Sequence, residues 1–247
     1  MTRIAIISDI HGNCFSFDAV LADLEKRSVD QIVCLGDAIQ GGPQPAEVVA
    51  RLRALGCPVV MGNADAWLLN GINTSTVESV TEKQEKVRQW QLALLSEKDR
   101  QFIASFQPTV ELTLDNGLQM LCFHGSPASF DELIFPETPE DDFQKMLGAY
   151  TGRVMCGGHT HLQQIRRIGD YFFFNPGSIG VPYNRNQPEE NFQLDHWAEY
   201  AILTVENNQL DLDFRRVPID VNGLIEVFKS TGRPYGEDWV AQYKGRD

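Results

Sequence analysis

The sequence predicts an α/β fold, and three observations support that prediction. Several apolar runs of four or five residues are too short for helices and lack polar alternation, which is typical of strands buried on both faces. Amphipathic segments separate the first three runs, which indicates parallel strands joined by right-handed crossovers. Polar residues follow each of these runs, and the carboxyl ends of parallel strands are where such sheets place their sites.

The first part of the chain carries this β-α-β-α-β order. We predict strands at residues 4–7, 31–35 and 58–61, and helices at 15–26 and 46–55. Asp9 and His11 follow the first strand. Because residues i and i+2 of an extended backbone point to the same side, we expect these two side chains to converge while Ile10 packs inward. Gly12 then permits a sharp turn.

The middle of the chain predicts a helical insertion at about residues 65–107, with a capping pattern at Ser96. Beyond it we predict hairpins at residues 109–123, 163–174 and 200–216, a strand at 153–156, a polar loop at 183–195, and helices near 143–147 and 222–229. Since no repeat, low-complexity tract or linker divides the chain, we predict a single domain over residues 1–247.

Composition limits the class of partner. The 247 residues are 43% hydrophobic, enough for a sizeable core, and the formal net charge is −13. This charge argues against binding of long nucleic acid, although bound metal ions can reverse it locally for a small phosphorylated substrate. We expect no signal peptide and no membrane span. The five cysteines are scattered without CxxC spacing, which favours reduced thiols and a cytoplasmic location.

Side chains that can bind metal recur at the ends of the apolar runs. Four of the five histidines belong to this set, which comprises Asp9, His11, Asp37, Asn63, His124, His159 and His161. Oxygen and imidazole ligands without cysteine suit manganese, iron, zinc or magnesium. Seven candidates exceed the needs of one ion and suit two ions that share a carboxylate, an arrangement that promotes displacement at phosphorus. The alternative is a set of core histidines and turn-capping carboxylates, which their repeated position beside glycines disfavours.

The order Asp-x-His, Gly-Asp, Gly-Asn, His-Gly, Gly-His-Thr-His resembles that of the calcineurin-like metallophosphoesterases, in particular their bacterial phosphodiesterase-like branch. The resemblance spans residues 3 to about 217. It implies a four-layer αββα sandwich, assigned to α+β in some schemes, in which two mixed β-sheets pack face to face between helices. It also implies that one ion binds Asp9, His11 and His161, that the other binds Asn63, His124 and His159, and that Asp37 bridges them.

The resemblance further implies a metal-dependent phosphoric ester hydrolase. Two divalent ions would activate a bridging hydroxide, with Mn²⁺ as the first choice and Fe, Zn, Mg or Ni as alternatives. Asp37, Asn63 and His124 would act in catalysis through these ions. The expected substrates are small phosphodiesters, nucleotides or phosphoanhydrides. The alternatives are a protein or sugar phosphomonoesterase and a non-catalytic scaffold of the same fold, which loss of ligands would indicate; the oligomeric state is left open.

One departure from the family pattern concerns the leaving group. Many members have Gly-Asn-His-Glu at the third block, where the histidine can donate a proton, whereas this chain has Ala64 and Asp65 after Gly62-Asn63. Since alanine donates no proton, we expect a preference for acidic leaving groups.

Weaker signals concern substrate contacts. Besides Asn63, both Asn13 and Arg185 are candidates for contacting substrate, but Asn13 also suits a helix N-cap and Arg185 a solvated loop. Trp67 and Trp90 could stack on a ring but more often lie in a core.

Overall fold

The computed structural model describes residues 1–72, 80–148, 150, 152, 154–169, 171–207 and 209–243. Its strands are β1 (Thr2–Ile7), β2 (Gln31–Cys34), β3 (Val110–Thr113), β4 (Gln119–Cys122), β5 (Val154–Cys156), β6 (Gln163–Ile168), β7 (Tyr171–Pro176), β8 (Trp197–Glu206) and β9 (Gln209–Pro218). Its α-helices are α1 (Cys14–Leu24), α2 (Pro45–Leu55), α3 (Asn63–Asn70), α4 (Glu82–Leu94), α5 (Glu97–Ala104), α6 (Glu140–Leu147), α7 (Val221–Ser230) and α8 (Gly236–Gln242).

The strands form two mixed sheets. The first has the order β2-β1-β8-β9, in which β1 and β2 are parallel and the β1–β8 and β8–β9 pairs are antiparallel. The second has the order β3-β4-β5-β7-β6, with parallel pairing from β4 through β5 to β7 and antiparallel pairing at both edges. In both sheets, parallel strands therefore end at a common edge, where the predicted ligands follow them.

Alternating side chains divide the molecule into four layers. From β1, Ile4 and Ile6 face the second sheet and pack in one core with residues such as Met120 and Cys122. Ala5 and Ile7 belong instead to a separate core that includes side chains of α1 and α2. On the far side, the second sheet packs against α6 through a third cluster, formed by Leu121, Phe123, Ile134, Phe143, Leu147, Met155 and Phe173. The predicted αββα sandwich is thus confirmed.

The prediction of a third strand at residues 58–61 needs correction, because this segment is not a full strand of either sheet. This segment makes only isolated parallel bridges, from Val59 to Cys34 and from Val60 to Gln107. It is hydrogen-bonded on both sides, but each neighbour forms one bridge with it, so no continuous ladder forms. The first unit therefore contributes two full strands to the sheet.

The helical insertion contains α3, α4 and α5, and residues 73–79 of the predicted range lie outside the described part. Ser96 caps α5 with a reciprocal capping box, as predicted. Leu68, Leu95 and Ile103 of this region join the core beside α2. In the described chain, no helix is both long and apolar enough to cross a membrane. The single domain over residues 1–247 stays a prediction.

At the C-terminal end, α7 matches the predicted helix and α8 was not predicted. The two helices pack together through a fourth cluster that includes Leu224, Phe228 and Val240. Val181 and Leu194, at either end of the predicted 183–195 loop, belong to the same cluster. Helices α7 and α8 therefore cover the side of the molecule on which the 183–195 loop lies.

Candidate metal centre

The seven predicted residues come together where the strands end. Asp9 and His11 follow β1, Asp37 follows β2, and Asn63 is the first residue of α3; His124 follows β4, while His159 and His161 follow β5. Both sheets contribute, so the centre lies at the edge where the two layers meet. The side chains form two groups, and in each group the candidate ligand atoms lie within 4.8 Å of one another.

The first group consists of Asp9, His11 and His161. Asp9 is fully buried, and its Oδ1 lies 3.2 Å from His161 Nε2 and 3.9 Å from His11 Nε2. The two Nε2 atoms are 3.1 Å apart. The other carboxylate oxygen of Asp9, Oδ2, accepts a hydrogen bond from the His159 backbone N–H at 3.2 Å.

The second group consists of Asp37, His124 and His159, with Asn63 beside them. His124 Nε2 lies 3.3 Å from Asp37 Oδ2 and 3.0 Å from Asn63 Oδ1. Asp37 also faces the first group, since its Oδ2 lies 3.8 Å from His11 Nε2. Asp37 is therefore the carboxylate that lies between the two groups, and its role as a bridge stays a prediction.

The histidine tautomers indicate that these groups suit cations. His11 Nδ1 lies 2.9 Å from the Gln40 carbonyl and His124 Nδ1 lies 2.8 Å from the Leu35 carbonyl, so each Nδ1 carries the hydrogen when the ring is neutral. The lone pair of each Nε2 is then directed toward acceptor oxygens of the centre, such as Asp37 Oδ2. Histidines held by a second-shell carbonyl in this way are typical of metal ligands.

A second observation supports the same fit. Asp9 Oδ1 is buried and makes no hydrogen bond within the described chain, although His161 Nε2 is near. A buried carboxylate oxygen without a hydrogen bond is costly unless a cation faces it. Burial and the neighbouring charge of His124 lower the pKa of His159 to about 4, so this ring is neutral at pH 7 and keeps a lone pair for a ligand bond.

Charge within the second group is strongly coupled. Burial alone would lower the pKa of His124, but the adjacent Asp37 carboxylate outweighs it and raises the pKa to about 9. Correspondingly, burial would raise the pKa of Asp37, whereas His124 and His11 hold it well below its ordinary value. Without metal, a proton on His124 compensates the carboxylate charge, a task that a bound divalent cation would take over.

The backbone at these residues departs from the extended conformation that the sequence suggested. Asp9 and His11 have φ of 54° and 49°, so the prediction that an extended chain aligns them is wrong, although the side chains do converge. β1 ends at Ile7, and the loop is then held by hydrogen bonds from the Asp9 and His11 N–H groups to the Gly36 and Asp37 carbonyls at 3.0 and 2.8 Å.

Left-handed backbone is concentrated at the candidate ligands. Among the described non-glycine residues, eight have positive φ, and five of these are Asp9, His11, Asp37, His159 and His161. Such conformations cost about 1–3 kcal/mol each and persist where surrounding contacts impose them, frequently at functional sites. Placing these five side chains therefore lowers the stability of the fold.

Three supporting residues were missed by sequence reasoning. Asp65 is buried and accepts hydrogen bonds from the Ala38 and Ile39 N–H groups at 3.0 and 2.9 Å, which fixes the loop directly after Asp37. Burial and the charge of Asp37 raise the pKa of Asp65 to about 7. Gln91 and Arg233 bind the same loop further along, at residues 39–42.

The segment at residues 175–178 also supports the centre. Asn175 Nδ2 donates to the Gly158 carbonyl at 2.6 Å, and Ser178 Oγ donates to the Asp9 carbonyl at 2.8 Å. It thereby joins the loop after β5 to the loop after β1.

The weaker predicted contacts have partners inside the protein. Asn13 caps α1 by accepting from the Ser16 N–H at 3.0 Å, and its Nδ2 donates to the Gly180 carbonyl at 3.3 Å. Arg185 pairs with Glu137 and lies over the Phe135 ring at 3.6 Å from its centroid. Their roles in substrate binding stay predictions. Of the two tryptophans, Trp67 lies in the core and Trp90 is half-buried.

This arrangement of two adjacent His/Asp groups at the edge of an αββα sandwich defines the class of protein. The family profile of the Calcineurin-like phosphoesterase superfamily domain matches residues 2–208, and the chain belongs to that family. The family resemblance stated from the sequence is thus confirmed.

Individual relatives narrow the comparison. The chain is 27% identical to the uncharacterized protein MJ0912 of Methanocaldococcus jannaschii, over 98% of this chain and 96% of that protein. It is 28% identical to the phosphodiesterase YfcE of Escherichia coli strain K12, over 79% of this chain and 89% of that protein. A solved metallophosphoesterase from Sphaerobacter thermophilus is similar with a TM-score of 0.74 and 25% identity, covering 98% of this chain and 97% of its own.

Proposed function

We propose that the protein is a dinuclear-metal phosphoesterase that hydrolyses phosphodiester, nucleotide or phosphoanhydride substrates. The observation that carries this proposal is the pair of adjacent ligand groups with Asp37 between them. Membership of the phosphoesterase family and similarity to a phosphodiesterase support the reaction class.

In this proposal each residue has a defined task. Asp9, His11 and His161 would hold one cation, Asn63, His124 and His159 would hold the other, and Asp37 would serve both. Two bound divalent cations supply charge neutralisation and activation of water at neutral pH, which is the chemistry that hydrolysis at phosphorus needs. Oxygen and nitrogen donors suit Mn²⁺, and they also suit Fe, Zn, Mg or Ni.

The protein itself orients these groups. The Gln40 and Leu35 carbonyls fix the tautomers of His11 and His124, so that each Nε2 faces the carboxylates. Asn63 is neutral: with its carbonyl oxygen toward His124, its amide nitrogen is left to donate toward a phosphoryl oxygen. Asp37 Oδ1 accepts from the Ala64 N–H at 2.8 Å, which leaves Oδ2 directed between the two groups.

A metal-screened assay tests this proposal. Protein loaded with Mn²⁺ is assayed on bis(p-nitrophenyl) phosphate, p-nitrophenyl phosphate and diadenosine tetraphosphate. We expect turnover of the diester or the tetraphosphate, and loss of at least 100-fold in Asp37→Ala because the shared carboxylate is gone. Asp18→Ala is the matched control, since Asp18 is an exposed carboxylate that pairs with Arg51 away from the centre.

Absence of turnover on all three substrates, or equal activity of Asp37→Ala and wild type, would refute the enzyme and favour a non-catalytic scaffold. A small phosphorylated partner and a cytoplasmic location belong to the same proposal. The location is supported by all five cysteines being free, as expected in a reducing compartment.

A further inference from the structure

A cleft of about 880 Å³ opens beside the candidate metal centre, with His11, His159 and His161 on one side. Its volume lies within the range of about 300–1,000 Å³ that is usual for small-molecule sites. The other walls come from α4, from residues 181–194 and from the segment around α8. Only the segment around α8 lies beyond residue 208, where the match to the family profile ends, so it is where this chain can add its own substrate preference to the family's chemistry.

Arg233 lies in this cleft as a buried cation that forms no ion pair among the described residues, although the charge of Asp238 acts on it. It is 8% exposed, its Nε donates to the Gly41 carbonyl at 2.6 Å, and its Nη1 donates to the Pro234 carbonyl at 2.9 Å. Among the described residues, no carboxylate lies within 4.0 Å of its guanidinium. Burial lowers the pKa of Arg233 to about 10, so it remains charged at pH 7. Besides these two hydrogen bonds, the guanidinium lies over the Trp239 and Phe228 rings, and its remaining N–H donors are available to an anion.

The position of Arg233 relates it directly to the metal centre. Gly41, which accepts its hydrogen bond, follows Gln40, whose carbonyl orients His11. The Arg233 guanidinium and the His11 ring therefore contact neighbouring carbonyls of the same loop. A substrate phosphate at the centre and a second phosphate beside Arg233 could belong to one molecule.

Charge in the cleft favours an anion. Lys83 and Asp238 also line it and pair with each other at 2.7 Å, so their charges cancel. Among the described residues that line the cleft, Arg233 then contributes an excess positive charge, although the net charge of the chain is −13. This local reversal is the kind of feature that concentrates an anionic ligand at one place.

Aromatic rings line the cleft on both sides. The Tyr183 ring lies 6.1 Å from that of His161 and 5.3 Å from that of Phe192, which is 39% exposed. On the other wall, the Trp239 ring lies 5.0 Å from the Arg233 guanidinium. Partly exposed rings beside a cation are typical of sites that stack a base and bind its phosphates.

We propose that this cleft binds a nucleoside polyphosphate, with Arg233 on the non-reacting phosphate and the base against Tyr183, Phe192 or Trp239. The inference rests on the proposed function and narrows its substrate class to phosphoanhydrides. Hydrolysis adds one water across the P–O–P bridge: a new P–O bond forms at the reacting phosphorus, and the bridging oxygen leaves with its electron pair on the second phosphate. The protons of the water pass to solvent.

This substrate class also accounts for Ala64. A leaving phosphate has a second pKa near 6 and departs ionised at neutral pH, so it needs no proton donor. Arg233 instead stabilises the negative charge that develops on that phosphate. A simple alkyl ester would lack this help.

The test compares wild type with Arg233→Gln in two measurements. For turnover, we expect kcat/KM on diadenosine tetraphosphate to fall about 10- to 100-fold further than kcat/KM on bis(p-nitrophenyl) phosphate, as for loss of one charge-assisted contact, because any effect through the Gly41 loop is common to both substrates. For binding, we expect the Kd of ADP, measured by calorimetry on the Mn²⁺-loaded protein, to rise by a similar factor. Arg53→Gln is the matched control, because Arg53 also lies over a phenyl ring, that of Phe102, but away from the cleft.

The outcomes separate the inference from the proposed function. Equal losses on both substrates would overturn the inference and make Arg233 a positioning residue for the Gly41 loop. Unchanged ADP affinity in Arg233→Gln would overturn it whatever the turnover. ADP binding that depends on Arg233 in a protein without turnover would support the inference and refute the enzyme. If Arg233→Gln does not fold, wild type must bind ADP at least 10-fold more tightly than AMP, and equal affinities would overturn the inference.

Discussion

Substitution of Gln91 by leucine is expected to weaken both the fold and the first ligand group. Gln91 is a fully buried residue of α4 that makes three hydrogen bonds to one loop. Its Oε1 accepts from the Gly41 N–H at 3.1 Å, and its Nε2 donates to the Ile39 and Gly42 carbonyls at 3.2 and 3.0 Å. The helical insertion thus holds three residues of the 39–42 loop through this one side chain, and Asp65 of α3 adds a bond to the Ile39 N–H.

The size of the effect follows from these contacts. Each hydrogen bond contributes about 1 kcal/mol net, so Gln91→Leu loses about 3 kcal/mol. Burial of the leucine side chain, which has a similar volume, offsets about 1 kcal/mol. We therefore expect the free energy of unfolding to fall by about 2 kcal/mol in metal-free protein.

The effect should extend to the metal centre because the loop contains the Gln40 carbonyl that orients His11. Loss of a second-shell contact typically weakens metal binding by about 10- to 100-fold, and we expect the lower value since Gln91 acts through the loop. Urea unfolding in the presence of chelator measures the stability, and titration with Mn²⁺ measures the affinity of the weaker site.

Gln89→Leu is the control for this experiment. Gln89 lies on the same helix, is exposed, and bonds only to Glu85 among the described residues. It should change the free energy of unfolding by less than about 0.5 kcal/mol. If Gln91→Leu and Gln89→Leu unfold at the same urea concentration and bind Mn²⁺ equally, the insertion does not support the centre.

Three further predictions follow from other residues. Because Ala64 cannot donate a proton, rates on aryl phosphodiesters should rise steeply as the pKa of the leaving group falls, and Ala64→His should flatten that slope; a flat slope in wild type would contradict the reasoning. Asp65→Ala leaves the Ala38 and Ile39 N–H groups without acceptors and should lower the free energy of unfolding by about 2–4 kcal/mol in urea, whereas an unchanged midpoint would exclude this support. Burial raises the pKa of Cys14 to about 12, which favours the protonated thiol, so at pH 8 it should react with iodoacetamide only after unfolding; rapid labelling of folded protein, seen by mass spectrometry, would show that the thiol is accessible.

The candidate ligands were predictable because two sequence properties coincide at them. Asp9, Asp37 and His124 each follow an apolar run, and strands of one direction place such positions at a common edge. The sandwich likewise follows from the alternation of Ile4 and Ile6 with Ala5 and Ile7 once two sheets exist. The extent of pairing was less predictable: residues 58–61 have the composition of a strand, but whether a ladder forms depends on neighbours that the segment itself does not specify.

The supporting residues could not be predicted because their roles depend on tertiary contacts between distant parts of the chain. Gln91 is one polar residue among many on α4, and it reaches a loop 50 positions earlier in the sequence. Arg233 reaches the same loop across 192 positions. No periodicity or motif marks either side chain; only the packing of α4 and α8 beside the Gly41 loop makes one a support and the other a buried cation. Since both converge on the loop that orients His11, contacts from outside the ligand set are able to tune the metal centre and the choice of substrate.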